Sequence, residues 1–458
     1  MNKEPTGNGK SVGLTTFSLC CVALTVLALS GAARASIVTV VRGETAREAG
    51  ARGDAGERAA SPGAPGSDTV VLTFGDEKVL IHEAPLGLPG AYVAHHNVRR
   101  DNLFLVRDRR AVSQRRGYDV LYSHGGFHLA VVEKPGDLAG IRRLTLRPIT
   151  GSRVVLEKAH LPKSAPDPLI EKILLELDGA SYEAYLSTLS EDMGSRYLCS
   201  AEILTARDAI ARHFEALGLA THVVKFSGQC WPKRCEGPQG FNVIGIKKGL
   251  VRPQKFCVVG GHYDSINEDA PCGSAPGAND NGSGAAGVME LARLFSPLDT
   301  ETSVVFVAFG GEEQGLLGSK AFVRSLLRGT APADLKAANL KSFVALDMIS
   351  YFDRNYGVIV EGASRKLRQR KAVNKLVQLG LTYTDLDIEK TYNYGDSDHE
   401  PFLNRGMAGA LLIETDWDTY KYYHTAQDLM VYQDIPYAMQ VLRLAAAMAA
   451  TESAASFR

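Results

Sequence analysis

Residues 304–313 read VVFVAFGGEE: six consecutive apolar residues, two glycines and a pair of glutamates. An unbroken apolar run suits a strand covered on both faces, which belongs to a central sheet flanked by helices. Glu312 and Glu313 then stand at the carboxyl end of that strand, where the loops of an open α/β sheet diverge and leave a crevice. FCVVGGH (256–262) and SFVALD (342–347) have the same grammar and deliver His262 and Asp347 to the same edge. Asn242 to Ile246 and Ala410 to Ile413 supply further buried strands. Between them, 283–295, 319–327, 364–379 and 435–450 carry helical periodicity; in the last, Ile435, Met439, Leu442 and Ala446 share one face. The pattern predicts an α/β fold over 166–458: a three-layer α/β/α sandwich around a mixed, mostly parallel sheet.

The chain has 458 residues, long enough for this domain and a smaller one. Lys+Arg and Asp+Glu both number 51, so no net charge draws it to nucleic acid or anionic lipid, and none is expected as a partner. Lys3 and Lys10 precede an apolar run from Phe17 to Leu29 that exits through Ala33-Arg34-Ala35. This predicts a signal peptide over 1–35, hence secretion or a periplasmic location without stable membrane association; uncleaved, the segment would be a membrane anchor. Residues 36–66 lack apolar periodicity and read as a disordered linker. From 67 to 165, short alternating segments such as VVLTF, FHLAVVE and RVVLEKA predict a small β-rich domain, a candidate pro-region. Its arginines 99, 100, 107, 109, 110, 115 and 116, interleaved with Asp101 and Asp108, read as a solvated basic face. Five cysteines follow the signal. Cys230 and Cys235 are spaced to close a small loop, and Cys257 reads as a buried thiol.

Two other segments bear groups of the same chemistry: PGANDNGSG (276–284) with Asp280, and YYHTAQD (422–428) with His424. Singly, each such residue has an ordinary structural explanation. Five nitrogen and oxygen donors beside strand ends or glycine-rich turns are hard to attribute to independent accidents, and zinc accepts such donors.

GGHYDS (260–265), PGANDNGSG, FGGEEQGLLGS (309–319), LDMI (346–349), SDHEPF (397–402) and YHTAQD (423–428) together resemble, in order, the motif set of the co-catalytic di-zinc exopeptidases of the bacterial leucyl aminopeptidase type. The resemblance covers about Tyr182 to Ala450 and does not extend to the β-rich segment. It implies a zinc aminopeptidase acting on peptides with a free, apolar N-terminal residue, with two Zn2+ per chain. Asp280 would bridge the ions, Glu313 and His424 would complete one site, and His262 and Asp347 the other. Glu312 would be the general base for an ion-activated water, Tyr394 would match the oxyanion donor, and Asp264 would orient His262. Asp398 and Asp428 are supporting or helix-capping candidates, and His399 reads as structural. Relatives often hold a cis bond after the bridging aspartate, which implies a cis Asp280–Asn281 bond. Some also bracket the oxyanion tyrosine with a disulfide, where this chain has Tyr392 and Asp396. The rival readings are a glutaminyl cyclase with one zinc, a metallo-carboxypeptidase, and a binding ectodomain without chemistry. A carboxypeptidase needs a cationic clamp for the substrate carboxylate, and no arginine is assignable to one from sequence.

Overall fold

The computed structural model describes residues 35–41, 69–83, 91–110, 114–141, 143–160, 162–228, 230 and 240–457. In chain order, the amino-terminal part comprises β1 (Ala35–Val41), β2 (Val70–Phe74), β3 (Glu77–His82), β4 (Ala91–Arg99), β5 (Leu103–Asp108), β6 (Asp119–His124), β7 (Phe127–Val131), α1 (Pro135–Leu138), β8 (Leu144–Pro148) and β9 (Arg153–Lys158). Next come α2 (Pro168–Leu174), α3 (Gly179–Ser190), α4 (Glu202–Ala216), β10 (Ala220–Lys225), β11 (Phe241–Lys247), β12 (Arg252–His262), α5 (Gly284–Phe295), β13 (Thr302–Phe309) and α6 (Leu317–Arg328). The chain ends with β14 (Leu340–Leu346), β15 (Gly357–Gly362), α7 (Leu367–Tyr383), β16 (Asp387–Thr391), α8 (Glu400–Asn404), β17 (Gly409–Glu414) and α9 (Ile435–Ser453).

The apolar runs form strands buried on both sides. Cys257, Val259, Val304, Phe306, Val344, Leu346, Ala410 and Leu412 face one core, where they meet α2, α3, α4, α5, α7 and α9. Their neighbours Phe256, Val258, Val305, Val307, Phe343, Ala345, Leu411 and Ile413 face a second core with Phe322 and Leu326 of α6 and Phe402 of α8. Strict alternation of one-residue neighbours between two apolar layers is the period of a strand. The mixed α/β sandwich predicted from the sequence is therefore the fold, with β13, β12, β14 and β17 as its parallel centre. The closing helix α9 starts at Asp434, whose carboxylate accepts the Tyr437 N–H at 2.8 Å, with a proline in the first turn.

The amino-terminal part is the β-rich region expected, and its described strands pack in one compact unit with the rest of the chain. Strand β9 pairs with β16 (Glu389 with Lys158, Lys390 with Glu157), and the sheet continues through β2, β3, β1 and β4 to a total of 13 strands. Val38, Leu72, Phe74, Leu129 and Leu156 share the second core with the central sheet. Residues 36–41, read as linker, form most of β1 and pair with both β3 and β4, because the SIVTVV run is apolar enough to be a buried strand. Residues 42–66 and the predicted signal before Ala35 lie outside the described residues. Strands β6, β7, β5 and β8 make a second, antiparallel sheet over the carboxyl edge. Among the described residues no helix is long and apolar enough to cross a membrane.

Cys230 pairs with Cys199, not with Cys235 as its spacing suggested. The helix-bearing segment around 199 comes within 5.8 Å (Cα to Cα) of it, a tertiary proximity that spacing does not encode. Cys257 is the buried free thiol expected.

Candidate metal centre

His262 is the last residue of β12, Asp347 follows β14, and Glu312 and Glu313 follow β13, so the parallel strands bring all four to one edge. Asp280 and His424 arrive on loops. All six are buried. The loop of Asp280 is locked from several sides. Asp428 accepts the backbone N–H groups of Asn279 and Asp280, each at 2.9 Å, and the Tyr420 hydroxyl at 2.7 Å. Asn281 donates to Leu346 O at 2.9 Å and accepts from Gly284 N and Met348 N, tying the loop to the strand that ends at Asp347. Gly277 turns at φ +52°, where a Cβ would lie 2.4 Å from Asp280 O. The Asp280–Asn281 bond is cis, as the resemblance implied.

The geometry of Asp280 organises the centre. Its Oδ1 is 3.3 Å from His262 Nε2 and its Oδ2 is 3.0 Å from His424 Nε2, so one carboxylate faces two imidazoles through different oxygens. His262 Nε2 also lies 3.4 Å from Asp347 Oδ1, and His424 Nε2 lies 3.5 Å from Glu313 Oε2. His262, Asp280 and Glu313, and likewise His262, Glu312 and Asp347, can each offer donor atoms within 4.8 Å of one another. Asp280 Oδ1 and Glu313 Oε1 are buried and accept no hydrogen bond. Orphaned acidic oxygens beside two imidazole nitrogens fit cations, because burial without a partner is costly and a divalent ion removes the cost. The residues present therefore suit metal binding.

Asp264 differs in detail from its expected role. The His262 Nδ1 contact at 3.1 Å is with the carbonyl of Asp264, and the carboxylate stands 3.6 Å away. That carboxylate instead accepts the N–H groups of Glu312 and Glu313, each at 3.1 Å, and so aims both acids. Burial pushes the Glu312 carboxyl well above its usual range, outweighing His262, with Glu313 adding to the rise. Burial also acts on Asp347, but Arg109 and His262 overcome it and hold that carboxyl down to about 2. Tyr394 is not among the ligand contacts: its hydroxyl donates to Asn404 at 3.0 Å, and it lines a cavity of about 450 Å³ with Arg107, Arg147, Asp396 and Glu400. His399 is structural, 3.0 Å from Glu361, and Asp398 caps nothing; burial raises its carboxyl to about 7.

Three arginines in the centre have roles that the sequence did not reveal. Arg196 is fully buried and donates to Tyr263 O at 2.7 Å and Gly277 O at 2.8 Å, bracing the loops after His262 and before Asp280. Arg109, read as part of a solvated face, is buried, with Nη2 3.0 Å from Asp347 Oδ2. Arg143 pairs with Glu313 Oε2, and its Nη1 lies 3.0 Å from Glu268 Oε1 and 3.0 Å from His424 Nδ1. The exit of β5 and the segment before β8 thus deliver two arginines to the centre, each paired with protein carboxylates. An alternating Arg/Asp pattern carries no sign of burial, so only the placement of the second sheet exposes this.

Residues 242–449 match the model of Peptidase family M28. This segment is similar to that family. Aminopeptidase YwaD of Bacillus subtilis (strain 168) is 32% identical over 197 residues, covering 41% of this chain and 39% of that protein. Leucine aminopeptidase 1 of Pyrenophora tritici-repentis (strain Pt-1C-BFP) is 29% identical over 224 residues, 45% of this chain and 54% of that one. The chain thus matches only about half or less of these relatives' length. Among solved structures, the LapA aminopeptidase of Legionella pneumophila shares the fold at TM-score 0.52 and 18% identity, over 77% of this chain and 98% of that one. All five predicted ligands and Glu312 lie inside the M28 match.

Proposed function

We propose that this protein is an exported, zinc-dependent M28 aminopeptidase that removes N-terminal, apolar residues from peptides. The observation that carries the reading is Asp280, whose two carboxylate oxygens address His262 and His424 separately. Two Zn2+ ions, one held by His262, Asp280 and Asp347 and the other by Asp280, Glu313 and His424, would supply Lewis acidity for the scissile carbonyl and acidify water. The chain's own residues do the rest. Glu312, aimed through its backbone by Asp264, takes a proton from the attacking water at its carboxylate and returns it to the leaving amine. Burial raises its proton affinity above that of an exposed carboxylate, the direction a proton acceptor in this exchange needs. Tyr394 serves as oxyanion donor once its hydroxyl exchanges Asn404 for substrate. The Cys199–Cys230 disulfide supports an oxidising compartment outside the cytosol.

The test is zinc content together with hydrolysis of a panel of aminoacyl anilides. A zinc-loaded protein that leaves the whole panel uncut would favour the binding-ectodomain reading. Arg109 and Arg143 favour one second reading, a peptidase that recognises the substrate's free carboxylate. Amidating the C-terminus of a dipeptide substrate separates the two: an aminopeptidase still cleaves it, a carboxylate-dependent enzyme does not.

A further inference from the structure

Arg143 holds atoms that a metal ion at the Glu313 and His424 site needs. Its Nη2 donates to Glu313 Oε2 and to Glu313 O, and its Nη1 lies 3.3 Å from His424 Nε2. Oε2 and Nε2 are the same two atoms that face each other at 3.5 Å across that site. A guanidinium and a divalent cation cannot share those lone pairs, and their like charges repel at such range. Arg109 is different. It lies on Asp347 Oδ2, whereas His262 faces Oδ1, so it can stay in place beside an ion.

The backbone commits Arg143 to this position. Arg143 sits at φ +64°, a left-handed conformation that costs a non-glycine residue about 1 kcal/mol or more. The Arg109 N–H donates to Arg143 O at 2.9 Å, so the two arginine-bearing segments are joined. The second sheet is seated on the rest of the chain where Gly126 (φ +75°) lies so close to Trp417 that a Cβ would come within 2.0 Å of its ring. Glu268 Oε1 lies 3.0 Å from Arg143 Nη1 and offers a carboxylate that can keep the guanidinium after it leaves Glu313.

We propose that Arg143 is a built-in plug of the metal centre: the amino-terminal sheet holds its guanidinium in one of the two ion positions, and the second ion binds only when Arg143 withdraws toward Glu268. The inference rests on the metal-dependent reading above. It makes the chain latent at low zinc, with the second site filling only as zinc rises.

Zinc binding by the full chain and by Arg143→Ala is measured by competition with a chromophoric chelator, with stoichiometry from elemental analysis. Two ions are expected in both, the weaker held at least about tenfold more tightly by the variant, since the competing state is gone. Gly126→Ala, which changes no ligand and no arginine but lifts the second sheet, and Arg143 with it, from Trp417, is the substitute if Arg143→Ala does not fold, and should move the weaker ion the same way. Superimposable zinc titrations for wild type and variant overturn the plug. So does an Arg143→Ala enzyme with unchanged zinc affinity and a raised KM confined to substrates with a free carboxylate, which makes Arg143 a substrate clamp. If neither chain binds zinc while both fold, the metal reading itself fails and the plug falls with it.

Discussion

Arg107 and Glu361 meet as a two-pronged pair across the junction of the amino-terminal strands with the central sheet, Nη1 to Oε1 at 3.0 Å and Nη2 to Oε2 at 2.8 Å. Both are buried, and Glu361 Oε1 also lies 3.0 Å from His399 Nε2. Removing one partner strands the other. Arg107→Ala is therefore expected to destabilise the protein by about 3–5 kcal/mol, read as a fall in the denaturant midpoint. A loss under 1 kcal/mol would show that the junction does not depend on this pair.

The same carboxylate gives a pH dependence. Burial opposes its charge, but Arg107 and His399 prevail and hold the Glu361 carboxyl at about 2, below the ordinary 4.5. A depressed acid stabilises the fold fully above its unfolded pKa and loses that contribution as pH falls through the folded value. Stability should decline between about pH 4.5 and 2, by up to about 3 kcal/mol from this group. Glu361→Gln should flatten that part of the curve; an unchanged slope contradicts the assignment.

Glu312→Gln keeps the shape and the backbone bond to Asp264 but cannot accept a proton. Turnover is expected to fall by roughly 10²-fold to 10⁴-fold while zinc stoichiometry stays at the wild-type value. Near-normal turnover would remove Glu312 as the base.

Asp428 makes no proposed metal contact yet fixes the bridging ligand. Asp428→Ala leaves the Asn279 and Asp280 N–H groups and the Tyr420 hydroxyl without their acceptor. Zinc affinity should drop roughly 10–100-fold, as when a ligand loses its support. Equal affinity would mean that the loop is held by Asn281 and Arg196 alone.

How much of this was readable from sequence depends on the reach of the physics. FCVVGGH, VVFVAFGGEE and SFVALD announced the central strands because residues buried on both faces must be apolar throughout, and each carries its functional group at the end. Strand β16, DIEKT, is mostly polar although it lies between β15 and β9, so its five residues gave no such signal. The arginines were the larger omission. Arg109 is buried and Arg143 half-buried only because acids more than 120 residues away surround them, and no local pattern separates such an arginine from one in water. Likewise, Cys199 lies 31 residues from Cys230, beyond the range of spacing arguments.

Strand β1 begins at Ala35, and its neighbours share apolar packing with the central sheet through Leu156, Trp417 and Tyr423. A clone started at Asp167, where the helices begin, would bare that greasy surface to water. The shortest gene fragment giving a well-behaved product should therefore open near codon 35, and attempts to express the portion from Asp167 alone should end in inclusion bodies.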